Sequence, residues 1–320
     1  WVERYPHLAR AHRDADGRHP SHSFFFPEEE YHPAYLDLLS GLCRDGFGEL
    51  EVHLHHDHDT AAGFREKLER FKDVLAQHDA LPRDAHGKGR YAFVHGNWCL
   101  DNAKPDGRWC GVNNEIEILA ETGCYADFTL PAAPDPAQTR QINSIYYAVD
   151  DPNRPKSHDR GERARAGSGR RGDLMLIQGP LGLNWKRRSR GVFPRIENGD
   201  VCANNPPSPT RTSLWVEQGI GVRGRPEWVF VKVHTHGAGE DEARVLLGEP
   251  MRKMLADLQA RYNDGDRYSL HYVSAREMYN IARAAEDGYA GNPNEYRDYE
   301  IQRPAYGVKR AAERVAGAGG

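Results

Sequence analysis

The chain has 320 residues, of which 38% are hydrophobic and 28% charged, with a formal net charge of −4 and a pI near 6.5. Such a length buries a core as one large α/β domain or two smaller ones, and the balance gives no electrostatic case for nucleic acid or an anionic membrane. No apolar run approaches the roughly 18 residues of a membrane span, and five widely spaced cysteines without a CxxC pair argue against a disulfide framework and fit a reducing compartment.

Trp1, Val2, Tyr5 and Leu8 fall at helical spacing, so residues 1–13 are expected to form an amphipathic helix, followed by a turn at Asp14-Ala15-Asp16-Gly17. Ser23-Phe24-Phe25-Phe26 reads as a buried strand, and Tyr35, Leu36, Leu39, Leu42 and Cys43 mark one face of the next helix. Leu50, Val52 and Leu54 then alternate with polar residues as in a half-buried strand. That strand runs into four histidines and two aspartates within the seven positions His53–Asp59. Imidazoles and carboxylates at this density supply the nitrogen and oxygen donors a divalent ion needs; a solvated His-rich turn is the plain alternative.

Thr60 is an N-cap for a helix carrying Phe64, Leu68, Phe71, Val74 and Leu75. Tyr91–His95 is a strand opening into His95-Gly96-Asn97-Trp98. A helix over 113–121 and a strand over 124–129 follow, the latter containing Asp127. The Arg-, Pro- and Gly-rich segment 150–172 reads as an insertion, Leu174–Gln178 as a strand, and 185–225 as a second irregular excursion. Trp228–Gly237, ending in His234-Thr235-His236, carries the strongest β pattern. A helix around Met251–Leu258, a strand over Tyr268–Val273 and a capping box at Ser274–Glu277 complete the ordered part. Residues 291–320 read as an extended or disordered tail.

Strands and helices alternate, which indicates a parallel sheet or barrel, and there is no Gly-rich dinucleotide or phosphate loop to favour a Rossmann-type fold. The expectation is an α/β fold, a deformed (β/α)7-type barrel forming one domain over 1–290 with long insertions. Its polar clusters at His55, His95, Asp127 and His234 lie at strand C-termini, the active-site face of such a barrel.

Glu51-Val52-His53-Leu54-His55-His56-Asp57-His58-Asp59 resembles the second motif of the polysaccharide deacetylases, the NodB-homology or carbohydrate esterase family 4 group. Ser23-Phe24-Phe25-Phe26 is similar to that family's Thr-Phe-Phe strand, Gly46–Glu51 to its Gly-His-Glu approach, and the strand to His234 to its late histidine motif. The first motif, an Asp-Asp pair, has no match before Ser23 and is expected upstream of Trp1; no Arg-x-Pro motif is present, and His95-Gly96-Asn97-Trp98 stands near its place.

The resemblance implies a metal-dependent hydrolase that removes acetyl groups, as amide or ester, from a carbohydrate by metal-activated water. His55 and Asp59 stand at its metal-ligand positions and His234 at its general acid. The metal would be Zn2+ first, with Co2+, Ni2+ or Mn2+ as alternatives. From the residues themselves, His53 is an inward-facing further ligand and His95 is either a third ligand or a structural histidine. His236 is the alternative acid, and Asp127 either orients that acid or bonds backbone. Asn97, Trp98, Asp101 and Asn102 are candidates for binding sugar, the asparagines and aspartate equally for forming turns. Two other functions stay open: an amidohydrolase acting on a small non-sugar amide, and a catalytically inactive carbohydrate-binding protein on the same scaffold.

Overall fold

The computed structural model describes residues 1–189, 191–236 and 239–307. In chain order the helices are α1 (Arg4–Ala9), α2 (Pro33–Arg44), α3 (Ala61–Gln77), α4 (Glu115–Thr122), α5 (Pro209–Glu217), α6 (Glu240–Leu246), α7 (Glu249–Tyr262) and α8 (Ala275–Glu286). The strands are β1 (His22–Pro27), β2 (Gly48–Leu54), β3 (Arg83–Asp84), β4 (Tyr91–His95), β5 (Cys124–Asp127), β6 (Ile145–Ala148), β7 (Gly161–Arg163), β8 (Leu174–Ile177), β9 (Leu181–Ser189), β10 (Phe193–Asn198) and β11 (Ile301–Gln302).

Seven strands form one sheet in the order β1-β2-β4-β5-β8-β6-β7. The first five run parallel; β6 is antiparallel to β8, and β7 to β6. The fold is thus mixed α/β, with a mostly parallel central sheet flanked by helices. Of the described helices, none is long and apolar enough to cross a membrane.

Side chains alternate across a pleated sheet, so each strand feeds two cores. Leu50, Val52 and Leu54 of β2, Tyr91 and Phe93 of β4, and Leu174 and Leu176 of β8 pack with Phe64, Leu68, Phe71 and Leu75 of α3 and with Ile116 and Leu119 of α4. The intervening residues Ala92, Met175 and Ile177 turn to the opposite face and meet Met278, Ile281, Ala282 and Ala285 of α8. α3 starts where Thr60 Oγ1 accepts the Gly63 N–H at 3.1 Å, and α8 starts with a complete Ser274–Glu277 capping box. Local signals therefore placed these elements correctly.

Three expectations are corrected. Trp228–His236 is extended but joins no ladder: Phe230 N bonds Ile220 O, while His234 bonds Gly199 O and the Val201 N–H, at 2.8–2.9 Å. Its backbone groups go to separate segments, and it runs so close to Gly199 that a Cβ there would lie 2.7 Å from Lys232 O. The last residue of the expected strand, Gly237, lies outside the described residues. Tyr268–Val273 is also not a strand, because side chains take its N–H groups: Tyr272 N donates to Asp14 Oδ2 and Leu270 N to Asn263 Oδ1. Residues 291–307 are docked, with Arg297, Ile301 and Tyr306 buried and β11 paired antiparallel with β3; the rest of the expected tail lies outside the described residues.

The insertions are structured too. Segment 150–172 contributes edge strand β7, and 185–225 holds most of the β9–β10 hairpin together with α5, whose Arg211 is fully buried against Glu197. Arg211 bonds Glu197 and the carbonyls of Asn198, Asp200, Asn205 and Pro206, so the excursion expected to be irregular is tied together from inside.

Candidate functional site: the carboxyl edge of the sheet

Parallel strands β1, β2, β4 and β5 end at one edge, where open α/β sheets build ligand sites. There β1 leads into Glu28–Glu30, β2 into His53 and His55, β4 into His95, and β5 ends at Asp127. The register pairs His53 with Val94 and Leu54 with His95. Parity then sorts the histidines: His53 and His55 share one face, while His56 and His95 share the other with Leu54.

On the first face, His53 Nδ1 donates to Val94 O at 2.7 Å, which leaves Nε2 as the acceptor, and burial lowers its pKa to about 4. The His55 ring lies 4.5 Å from His53, edge to face, with its Nδ1 bonded to a Glu29 carboxylate oxygen. That bond, ahead of the opposing effect of burial, raises the His55 pKa. The ring is half exposed and rests against Gly96, where any Cβ would collide with it. His236 is exposed, its ring 5.8 Å from that of Trp98.

Asp127 is buried and accepts the Thr129 N–H at 3.0 Å and its hydroxyl at 2.7 Å; burial raises its pKa to about 6. Beside it, burial lowers the Lys232 pKa to about 7, with Nζ donating to the carbonyls of Phe128 and Leu130. Burial likewise lowers His234 to about 4. Asp127 therefore orients Thr129 rather than a histidine.

The candidates for binding sugar divide. Asn97 and Trp98 remain at the rim, both in the left-handed region at φ 54° and 57°. Asp101 and Asn102 turn inward: Asp101 Oδ2 accepts the Ser157 N–H at 2.6 Å, and Asn102 bridges Asn113 Oδ1 at 2.8 Å and the Gly111 N–H at 3.2 Å. Asp59 has partners other than His55. It accepts from Lys67 Nζ at 2.5 Å and faces His56 Nδ1 at 3.3 Å.

On the second face, His95 meets three residues that sequence reasoning did not select together. His56 Nε2 and His95 Nε2 each lie 3.3 Å from Glu115 Oε1, and Cys110 Sγ lies 3.4 Å from Glu115 Oε2. One donor atom from each of the four falls within 4.8 Å of the others, and all four residues are buried. Burial comes first among the causes that raise Glu115 to about 7, lower His56 and His95 to about 4, and push the Cys110 thiol up. A signal was present in Cys110-Gly111-Val112-Asn113-Asn114-Glu115: Glu115 opens a helix on the same stripe as the apolar Ile118 and Leu119.

No family model matches the chain, nor does any curated protein or solved structure.

Proposed function

We propose that the protein is a hydrolase that removes acetyl groups, as amide or ester, from a carbohydrate at the carboxyl edge of the sheet. The observation that carries this reading is the His55–Glu29 dyad, half exposed beside His53 and Gly96. A carboxylate that holds one ring nitrogen fixes the tautomer and stabilises the imidazolium formed when the other nitrogen takes a proton. Titratable groups with displaced pKa values gather around this edge, as they do at catalytic sites.

On this reading, the neutral fraction of His55 takes a proton from the water that attacks the acetyl carbonyl, and Glu29 steadies the resulting charge. His236 protonates the departing nitrogen or oxygen; His234 is held neutral by burial and is the poorer acid. Trp98 offers an aromatic face to a sugar ring. The seven-stranded sheet is read as a deformed (β/α)7-type barrel.

Of the expected ligand pair, His55 is bonded to Glu29 and Asp59 to Lys67. Among the described residues, neither group of converging metal-ligating side chains includes His55 or Asp59, so no step is routed through an ion beside His55.

The test is acetate release from an N-acetylated oligosaccharide and from an acetyl ester, compared between wild type, His55→Ala and Glu29→Gln. Loss of a positioned general base lowers the rate about 10²–10⁴-fold, with a smaller loss when only its carboxylate is neutralised. No release from either substrate by wild type, or an unchanged rate in His55→Ala, overturns the reading.

A further inference from the structure

We propose that His56, His95, Cys110 and Glu115 form a closed four-donor site for a thiophilic divalent ion, Zn2+ by its donor set, that fastens segment 96–114 to the sheet. The geometry suits the ion. Ligands about 2.0–2.3 Å from a tetrahedral zinc stand roughly 3.3–3.8 Å apart; Glu115 Oε1 lies 3.3 Å from both imidazole nitrogens, Cys110 Sγ lies 3.4 Å from the other oxygen, Oε2, and one donor atom from each residue falls within 4.8 Å of the others.

Proton bookkeeping points the same way. His95 Nδ1 lies 2.6 Å from Gly96 O, an acceptor only, so Nδ1 carries the hydrogen and Nε2 turns its lone pair toward the Glu115 carboxyl. That nitrogen is fully buried and has no hydrogen-bond partner. If His56 carries its proton on Nδ1, toward Asp59, a second lone pair faces the same Glu115 oxygen, and a carboxyl group has one proton for two nitrogens. If His56 carries it on Nε2, its Nδ1 lone pair faces the Asp59 carboxylate, itself bound to Lys67. With neutral imidazoles no arrangement of protons satisfies every buried atom, and unsatisfied buried polar atoms are rare and costly. A cation at the centre accepts both nitrogens, the thiolate and the carboxylate at once.

The surroundings are those of metal ligands. Asp59 faces the outer nitrogen of His56, and the Gly96 carbonyl holds that of His95. Cys110 Sγ receives the N–H groups of Asn102 at 3.3 Å and Val112 at 3.4 Å, which suits a thiolate. Two imidazoles, a sulfur and one carboxylate oxygen select a borderline-soft ion over Mg2+ or Ca2+. The side chains of His56, His95 and Glu115 are wholly inaccessible and Cys110 is completely buried, so no coordination position opens to substrate and the role is structural.

The pinned segment also needs such a fastening. It carries left-handed backbone at Asn97, Trp98, Asp101, Asn102 and Trp109, and Gly111, at φ 98°, passes so close to Asp59 that a Cβ would lie 2.8 Å from its nitrogen.

The test uses the full chain. Elemental analysis is expected to find about one zinc per chain, as for a closed structural site. Stripping with a chelator and refilling with Co2+ is expected to give a thiolate-to-cobalt charge-transfer band and the intense visible bands of a tetrahedral ion. Cys110→Ser loses the charge-transfer band while Cys99→Ser, at a neighbouring buried thiol, keeps it, and chelation lowers the wild-type melting temperature. If Cys110→Ser does not fold, the wild-type cobalt spectrum decides by the presence or absence of the thiolate band. A metal-free chain with no such band on cobalt addition, or a band that survives Cys110→Ser, overturns the proposal. Acetyl hydrolysis plays no part in any of these readouts.

Discussion

Among the described residues, two clusters place three or more metal-ligating side chains within reach of one ion, and they differ in one respect. Asp14, Asp16 and His271 form the first, the buried quartet at His95 the second. In the first, every oxygen already has a donor. Asp14 accepts from the backbone of Asp16, Arg18 and Tyr272, and Asp16 from His271 Nδ1 at 2.6 Å and Asn292 Nδ2 at 3.0 Å. Arg297 stands between them, 3.4 Å from Asp14 and 3.7 Å from Asp16. Burial pulls the Asp16 pKa up, but the hydrogen bonds of Asn292 and His271 and the charges of His271 and Arg297 outweigh it and leave it lowered. In the quartet Glu115 Oε2 accepts the Asp101 N–H at 2.5 Å, but His56 Nδ1 and His95 Nε2 are buried without a hydrogen-bond partner. Proximity of ligands is common to both; unmet valence belongs to one. It is the better sign of an ion.

The comparison can be broken most severely at the quartet. Removing its ion with a chelator, or one ligand by Cys110→Ser, is expected to lower unfolding stability by about 4 kcal/mol or more, the linkage at a thousandfold excess over Kd. Urea titrations with and without chelator measure it, and the same chelator should not move a Cys110→Ser protein further.

Next comes Arg297→Met, which converts the satisfied cluster into an unsatisfied one. Leaving the fully buried Asp14 carboxylate unpaired costs about 3–5 kcal/mol, and millimolar Ca2+ is expected to restore part of that loss in the variant while leaving wild type unchanged. A variant as stable as wild type would show that Arg297 does not occupy the role of a cation.

A third buried acid sharpens the contrast by keeping its own proton. Glu51 accepts from Tyr125 Oη and, at 2.6 Å, from the Ala92 N–H, and burial raises its pKa to about 8. The folded state therefore holds a proton that the unfolded chain releases above its ordinary value near 4.5. Stability from this group is full below that pH and falls as pH rises toward 8, by on the order of 3 kcal/mol. Glu51→Gln should flatten this slope, so the variant gains on wild type at pH 8 relative to pH 5 in paired denaturation curves; parallel curves would place the proton elsewhere.

The smallest effect on stability is expected at the open edge. Glu29→Gln removes a half-exposed partner of His55 and should change stability by less than about 1 kcal/mol, although the acetate assay loses rate.

What the sequence showed of this molecule follows the range of the forces involved. β2, α3 with its Thr60 cap and α8 with its capping box were legible because each is set by neighbours a few residues apart. The run Trp228–His236 has strand composition but was misread, since whether an apolar extended run joins a sheet depends on which segment lies beside it. The histidine stretch is dense in side chains of the ligand type. It could not be sorted, because pleat parity and the Leu54–His95 register decide that His56 rather than His55 shares a face with His95. Cys110 and Glu115 are hidden for the same reason: Glu115's place on the apolar stripe of α4 marks it as inward-facing, but which residues it meets is decided by tertiary packing of the 96–114 segment and α4 against β2.

The quartet's position along the chain has a consequence for biosynthesis. All four donors lie between residues 56 and 115, whereas α8, which covers the opposite face of the sheet, begins at Ala275. A growing polypeptide thus presents the complete ligand set before α8 is made. Contacts this close in sequence form early and at little entropic expense. Zinc supply during translation, rather than after release, would then govern the yield of soluble protein.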